Sequence, residues 1–138
     1  MSTARNVYRA DLASVPEMMR AVEDSLTGKP EKFAYSMKLI CEEILVNIVS
    51  YAYPEMETGE LTINWYDDTE NQRLTIVFED SGAPFNPLLK ESPDLSVPMA
   101  ERKIGGLGIM MVRELSDAVR YAYENGKNIL TVEKNYGD

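Results

Sequence analysis

Residues 30–54 read PEKFAYSMKLICEEILVNIVSYAYP, and this stretch decides how the rest of the chain can fold. Pro30 opens a helix and Pro54 closes it, because proline fixes φ and lacks an amide hydrogen. Between them Phe33, Met37, Ile40, Ile44 and Ile48 recur at three- and four-residue steps, the period of one buried helix face. Such a helix needs an apolar layer beneath it.

The strands that follow supply that layer. Leu61-Thr62-Ile63-Asn64-Trp65-Tyr66 alternates and runs into the polar turn Asp67-Asp68-Thr69-Glu70-Asn71, after which Leu74-Thr75-Ile76-Val77-Phe78 pairs back antiparallel. Two final strands, Ala118–Tyr123 and Ile129–Glu133, flank Glu124-Asn125-Gly126-Lys127, where Asn-Gly signals a hairpin. At the other end a short strand is expected to begin within Tyr8–Leu12. Ser14-Val15-Pro16-Glu17 then reads as a capping box with Ser14 as N-cap, opening a helix that runs to about Leu26 and stops near Gly28. Gly108–Ser116 reads as a further helix. Pro84, Pro87, Pro93 and Pro98 gather between Ser81 and Gly106, predicting a long irregular loop of the kind that carries function. Helices grouped first and antiparallel strands later make the fold class α+β, with the helices on one sheet face.

The 138 residues show no repeat and no interior linker, so a single domain spanning 1–138 is expected. Hydrophobic residues are 44% and charged residues 27%, the balance of a water-soluble globular chain. Fourteen basic against twenty-three acidic residues leave a net charge of −9, which argues against direct binding to nucleic acid or an anionic membrane. No apolar run reaches membrane-spanning length and no signal-peptide core is apparent. The lone Cys41 has no partner within the chain, so a reducing cytoplasm fits; it sits among apolar helix residues as a core thiol. Zero histidines remove imidazole acid–base chemistry, histidine metal ligands and a histidine phosphoacceptor from this chain.

Three clusters ask for chemistry. Glu43 and Asn47 stand four residues apart on one helix face amid Ile40, Ile44, Leu45 and Ile48, where a proton acceptor can sit beside a magnesium ligand. They also suit the polar flank of an amphipathic helix, as exposed Glu42 does next door. Glu79-Asp80-Ser81-Gly82 ends a strand: Asp80 can accept from an exocyclic amine, and the missing Cβ of Gly82 lets a flat ring approach. An ordinary turn uses the same residues. Lys103-Ile104-Gly105-Gly106-Leu107-Gly108 leads straight into a helix, offering free amides and a positive dipole end to an anion. It matches neither the dinucleotide fingerprint nor a P-loop. Together the three fit one ligand: Asp80 on an adenine amine, the glycine loop on phosphates, Asn47 on Mg²⁺ and Glu43 facing the terminal phosphate.

Glu43-Ile-Leu-Val-Asn47, Asp80-Ser-Gly82-Ala-Pro-Phe85 and Gly105-Gly-Leu-Gly108, in that order, resemble the N, G1 and G2 boxes of GHKL ATPases. The short loop between the last two boxes, and the run from Gly105 to Asp117 that follows it, resemble the anti-sigma-factor serine kinases of the RsbW/SpoIIAB type. The resemblance implies a two-layer α/β sandwich on a mixed, mostly antiparallel sheet, binding ATP with Mg²⁺. It implies phosphorylation of a serine on a small STAS-domain antagonist, sequestration of a sigma factor, and commonly a homodimer. On that resemblance Glu43 is the general base, Asn47 the Mg²⁺ ligand, Asp80 the adenine contact and Gly82 the base-pocket glycine. Gly105, Gly106 and Gly108 match the family's phosphate loop, and Lys103 beside them adds a cation for the phosphates on its own charge. Two positions depart from the family pattern: Tyr51 stands in place of a frequent histidine, and Asn128 in place of a threonine near the adenine pocket, where its amide can replace the hydroxyl. A competing reading keeps the fold but makes it a non-catalytic module that binds a protein partner under nucleotide control.

Overall fold

The computed structural model describes residues 2–51, 53, 59–89 and 106–137. Among the described residues five strands and three α-helices follow in the order β1 Ser2–Arg9, α1 Val15–Ser25, α2 Glu31–Tyr51, β2 Glu60–Asp68, β3 Arg73–Asp80, α3 Gly106–Leu115, β4 Ala118–Glu124 and β5 Lys127–Asn135. The strands form one sheet in the order β1-β2-β3-β5-β4. All four pairings are antiparallel, so the described sheet contains no parallel pair and the expected mixed character narrows to an antiparallel one.

Alternation decides which sheet face is covered. Leu61, Ile63 and Trp65 on β2, Leu74, Ile76 and Phe78 on β3, and Leu130 and Val132 on β5 all point to one side and are buried. Met18 and Val22 of α1 and Phe33, Met37, Ile40, Cys41, Ile44 and Ile48 of α2 close that side. Every residue of the apolar stripe read from α2 is therefore in the core, and Cys41 is a buried thiol, as expected. The helices lie on one face of the sheet, giving the two-layer α+β sandwich.

Several boundaries differ from the sequence reading. The first strand starts at Ser2 and ends at Arg9, because its whole length pairs with β2 rather than only the apolar Tyr8 end. Ser14 makes no side-chain capping bond to α1. A 3₁₀ turn, Leu12–Ser14, intervenes, and Asp11 caps it by accepting from both the amide and the hydroxyl of Ser14. α1 still yields at Leu26, with Gly28 in the left-handed region at φ 82°. Pro54 lies outside the described residues, as does most of the acidic Glu55–Glu60 turn. The β4–β5 hairpin turns on Asn125 and Gly126, both at positive φ, the two-residue turn that the Asn-Gly pair favours. That turn sets a register in which β5 lies between β3 and β4 and Asn128 stands directly opposite Asp80.

Candidate functional site

At the end of the sheet where β3 stops and β5 begins, α2 and α3 leave a cleft. Ile44, Ile48, Phe78, Ile109 and Leu130 make its walls apolar, and Asn47, Asp80, Tyr121 and Asn128 supply its polar groups. Apolar walls with a few convergent polar groups are the ordinary makeup of a small-molecule site.

Asp80 ends β3 and is only 5% exposed. Its Oδ1 accepts from the Gly82 amide at 2.9 Å and from Asn128 Nδ2 at 2.9 Å. Both bonds end on the same oxygen, so Oδ2 keeps its acceptor capacity for a ligand amine. Burial pushes the carboxyl above its usual range, and the two hydrogen bonds pull it partly back. Gly82 is buried in the turn that follows.

Asn47 is also buried, at 4% exposure. Its Nδ2 donates to the Glu43 carbonyl at 2.7 Å and to Glu43 Oε1 at 3.2 Å, so the two cluster residues lie together on α2 as their four-residue spacing requires. Glu43, half-buried, leans against the first turn of α3: a Cβ built on Gly108 would lie 1.8 Å from Glu43 Cδ and 1.9 Å from Oε1. Only glycine admits this approach. The first amides of a helix have no intrahelical acceptor and carry a positive partial charge, so Glu43 stands beside an anion-binding terminus. α3 begins at Gly106; Lys103 and Gly105 lie outside the described residues.

The donor set fits a nucleotide bound with magnesium. The cleft has apolar walls of the kind that take a flat ring, Asp80 offers it an acceptor, and Ile109 in the first turn of α3 lines it. Among the described residues no group of three or more acidic or cysteine side chains gathers to hold a metal alone. A magnesium ion that arrives with phosphate oxygens needs only one or two protein oxygens, and the Asn47 amide provides that kind of ligand.

Asn128, offered from the sequence as a replacement for a hydroxyl, is bonded inside the protein. Besides Asp80, its Nδ2 donates to the Ala83 carbonyl at 2.9 Å; its Oδ1 accepts from the Phe85 amide at 3.0 Å and from the Tyr121 hydroxyl. Tyr51 stacks on Phe85 with ring centroids 5.5 Å apart. Tyr121 pairs with Leu130 across the β4–β5 ladder and reaches Asn128 through its hydroxyl, a contact that residue spacing alone does not announce. The contact between Glu43 and Gly108 joins residues 65 apart and left no local signal in the sequence. Trp65 is buried in the sheet, whereas Tyr123 is exposed.

A helix-covered antiparallel sheet with an apolar-walled cleft and a nearby helix N-terminus is the architecture of an ATP-binding domain of the histidine kinase-like class. The sequence profile of the histidine kinase-like ATPase domain matches residues 8–134, and the chain belongs to that family; ATP use comes with it. Among similar proteins, the serine-protein kinase RsbW of Listeria monocytogenes is 25% identical over 94% of this chain and 88% of its own length. RsbW of Bacillus licheniformis is 28% identical over 94% and 86%. The serine/threonine-protein kinase BtrW of Bordetella bronchiseptica is 27% identical over 73% and 70%. The solved RsbU and RsbW domains of a Mycobacterium tuberculosis protein share the fold, with a TM-score of 0.69 at 12% identity over 98% of this chain. This chain spans about a third (32%) of that structure. Among the described residues no helix is long and apolar enough to cross a membrane.

Proposed function

We propose that the chain is an ATP-dependent protein serine kinase that transfers the γ-phosphoryl of ATP to a serine of a small STAS-domain antagonist and otherwise holds a sigma factor inactive. The observation that carries this reading is the packing of Glu43 against the first turn of α3 at Gly108, which sets a carboxylate beside the helix terminus suited to phosphates. Glu43 takes the proton of the serine hydroxyl. The serine oxygen bonds to the γ-phosphorus as the bond to the β–γ bridging oxygen breaks, and ADP leaves. Asp80 accepts from the adenine amine and Gly82 admits the ring. Gly105, Gly106, Gly108 and Lys103 hold the phosphates. Mg²⁺, when bound, neutralises phosphate oxygens, and Asn47 supplies it a protein oxygen. With no histidine in the chain, self-phosphorylation on histidine is excluded.

The same reading makes residues 1–138 a single kinase domain, acting in the cytoplasm and commonly as a homodimer. Its test is capture of partners from native lysate with Mg-ATP, followed by intact-mass analysis. A small partner that gains one phosphate on serine supports the kinase; a partner of unchanged mass, bound only with nucleotide, favours the non-catalytic module. Glu43→Gln is expected to lower phosphotransfer by about 10²–10⁴-fold, the usual contribution of a general base, while ADP affinity stays nearly intact. An ADP affinity loss as large as that of Asp80→Ala contradicts the role given to Glu43.

A further inference from the structure

Asn128 is 5% exposed, and protein groups occupy every hydrogen-bonding position of its amide. The reverse orientation would set its oxygen against the Asp80 carboxylate and the Ala83 carbonyl, so the network admits one arrangement only. A base entering the cleft finds no free group on Asn128. We infer that Asn128 is a positioning residue for base recognition, orienting the Asp80 carboxylate and tying the turn through Phe85 to β5 without touching the nucleotide. The inference rests on the nucleotide-binding reading above.

Three features support it. First, Asn128 and the Gly82 amide both hold Oδ1 of Asp80, so the oxygen left for the ligand is always Oδ2. An ionised carboxylate only accepts; it pairs with the 6-amino group of adenine but not with the 6-carbonyl of guanine, so in a pose fixed on position 6 Asp80 favours adenine. Second, Phe85 lines the cleft and is held by Asn128 through its amide and by Tyr51 through its ring. Third, Asn128 pairs with Asp80 across the β3–β5 ladder, so the backbone holds donor and acceptor in register.

The network also predicts how binding responds to acid. Among the described residues the titratable groups facing Asp80 are Tyr53, just beyond α2, whose hydroxyl accepts from the Ser81 amide, and Tyr121 on β4. Burial holds both phenols above their usual range, so they stay neutral in acid. α2 and α3 line the cleft with Ile44, Asn47, Ile48 and Ile109, none of which titrates. The Asn128 donor is one of two bonds lowering the raised carboxyl of Asp80. Without it, Asp80 protonates at higher pH and adenine loses its acceptor sooner.

The experiment compares Asn128→Val with Asn128→Thr by calorimetric titration of ADP and GDP from acid to neutral pH. Both side chains have the same shape and suit a strand, and only threonine keeps a donor for Asp80. The acid midpoint of ADP binding is expected about one pH unit higher in the valine variant than in the threonine variant, the scale of one hydrogen bond to a charged group. At neutral pH the valine variant should lose about tenfold of the preference for ADP over GDP. Equal midpoints and equal preferences overturn the inference, since a role in packing alone moves both variants together. If the valine variant does not fold, Tyr121→Phe, which frees Asn128 from the other side, should move the midpoint in the same direction by less; an unmoved midpoint there overturns it too. Failure of the unaltered chain to bind ADP is a separate result, and overturns the nucleotide reading and this inference with it.

Discussion

Gly108→Ala separates what the Glu43 contact does for stability from what it does for chemistry. The new methyl would sit 1.8 Å from Glu43 Cδ, whereas ordinary carbon contacts are about 3.5–4.0 Å, so the carboxylate must retreat by roughly 2 Å. The obstructing atoms are the end of a mobile side chain, and an off-rotamer glutamate costs only about 0.5–1.5 kcal/mol. Alanine meanwhile returns up to about 1 kcal/mol of helix propensity relative to glycine. The net change in stability is therefore expected within about 1 kcal/mol of zero. Phosphotransfer should nevertheless fall by about 100-fold, the scale reached when a reacting group is misplaced by an ångström or more. The decisive assay is a double-mutant cycle on urea denaturation. With Glu43→Ala already present the obstruction is gone, and Gly108→Ala should then stabilise by up to about 1 kcal/mol. Equal effects of Gly108→Ala in the two backgrounds, or full phosphotransfer by Gly108→Ala alone, would refute the reasoning.

Asp80→Asn should weaken ADP binding at least tenfold, since an ionised acceptor is lost, yet leave neutral-pH stability unchanged or raised. The sign follows from the raised carboxyl of Asp80: its protonated form favours the fold, and that stabilisation is lost as pH rises through the folded pKa. The stability difference between variant and parent should therefore vanish below the usual carboxylate range, and a difference that grows on acidification contradicts it. ADP affinity of the parent should fall as pH drops through the same raised window, measured by calorimetry. Lys29→Met removes a 2.6 Å ion pair to Asp67 and a cation placed 4.4 Å over the Tyr136 ring. These lie at the opposite end of β2 from the strand ends that form the cleft, so about 1 kcal/mol of stability should go with no change in nucleotide affinity. The hydrogen bond to Asp67 holds the Lys29 ammonium above its usual range, so the stability it gives is present at neutral pH and lost as pH rises into strong alkali.

Local pattern carried most of the fold. The apolar stripe of α2, the alternation of β2 and β3 and the Asn-Gly turn each state a period or a torsion that few other arrangements satisfy. Register and partner choice were less legible. Ser14 looked like a helix cap because its neighbours match a capping box, yet Asp11, three residues upstream, takes its amide. Propensity could not rank two nearby oxygens for one donor. The N-terminal strand was hidden for a related reason: Thr3, Arg5 and Arg9 carry no apolar alternation, and pairing along β2 alone makes Ser2–Arg9 a strand.

At the site, residue types were readable but their contacts were not. Tyr51 and Asn128 stand 77 residues apart and read from the sequence as two separate departures from a family pattern. In the folded chain both hold Phe85, one by its ring and the other by its amide. Departures that meet on one residue are not independent losses. A buried amide that satisfies four protein groups leaves none of them orphaned, where a single hydroxyl at that position has fewer bonds to give. Replacing Asn128 by threonine alone should therefore free the Phe85 amide and the Ala83 carbonyl while keeping a donor to Asp80. The adenine contact survives that change and the fixed wall beside it does not, so base affinity and wall rigidity are separable properties of this pocket.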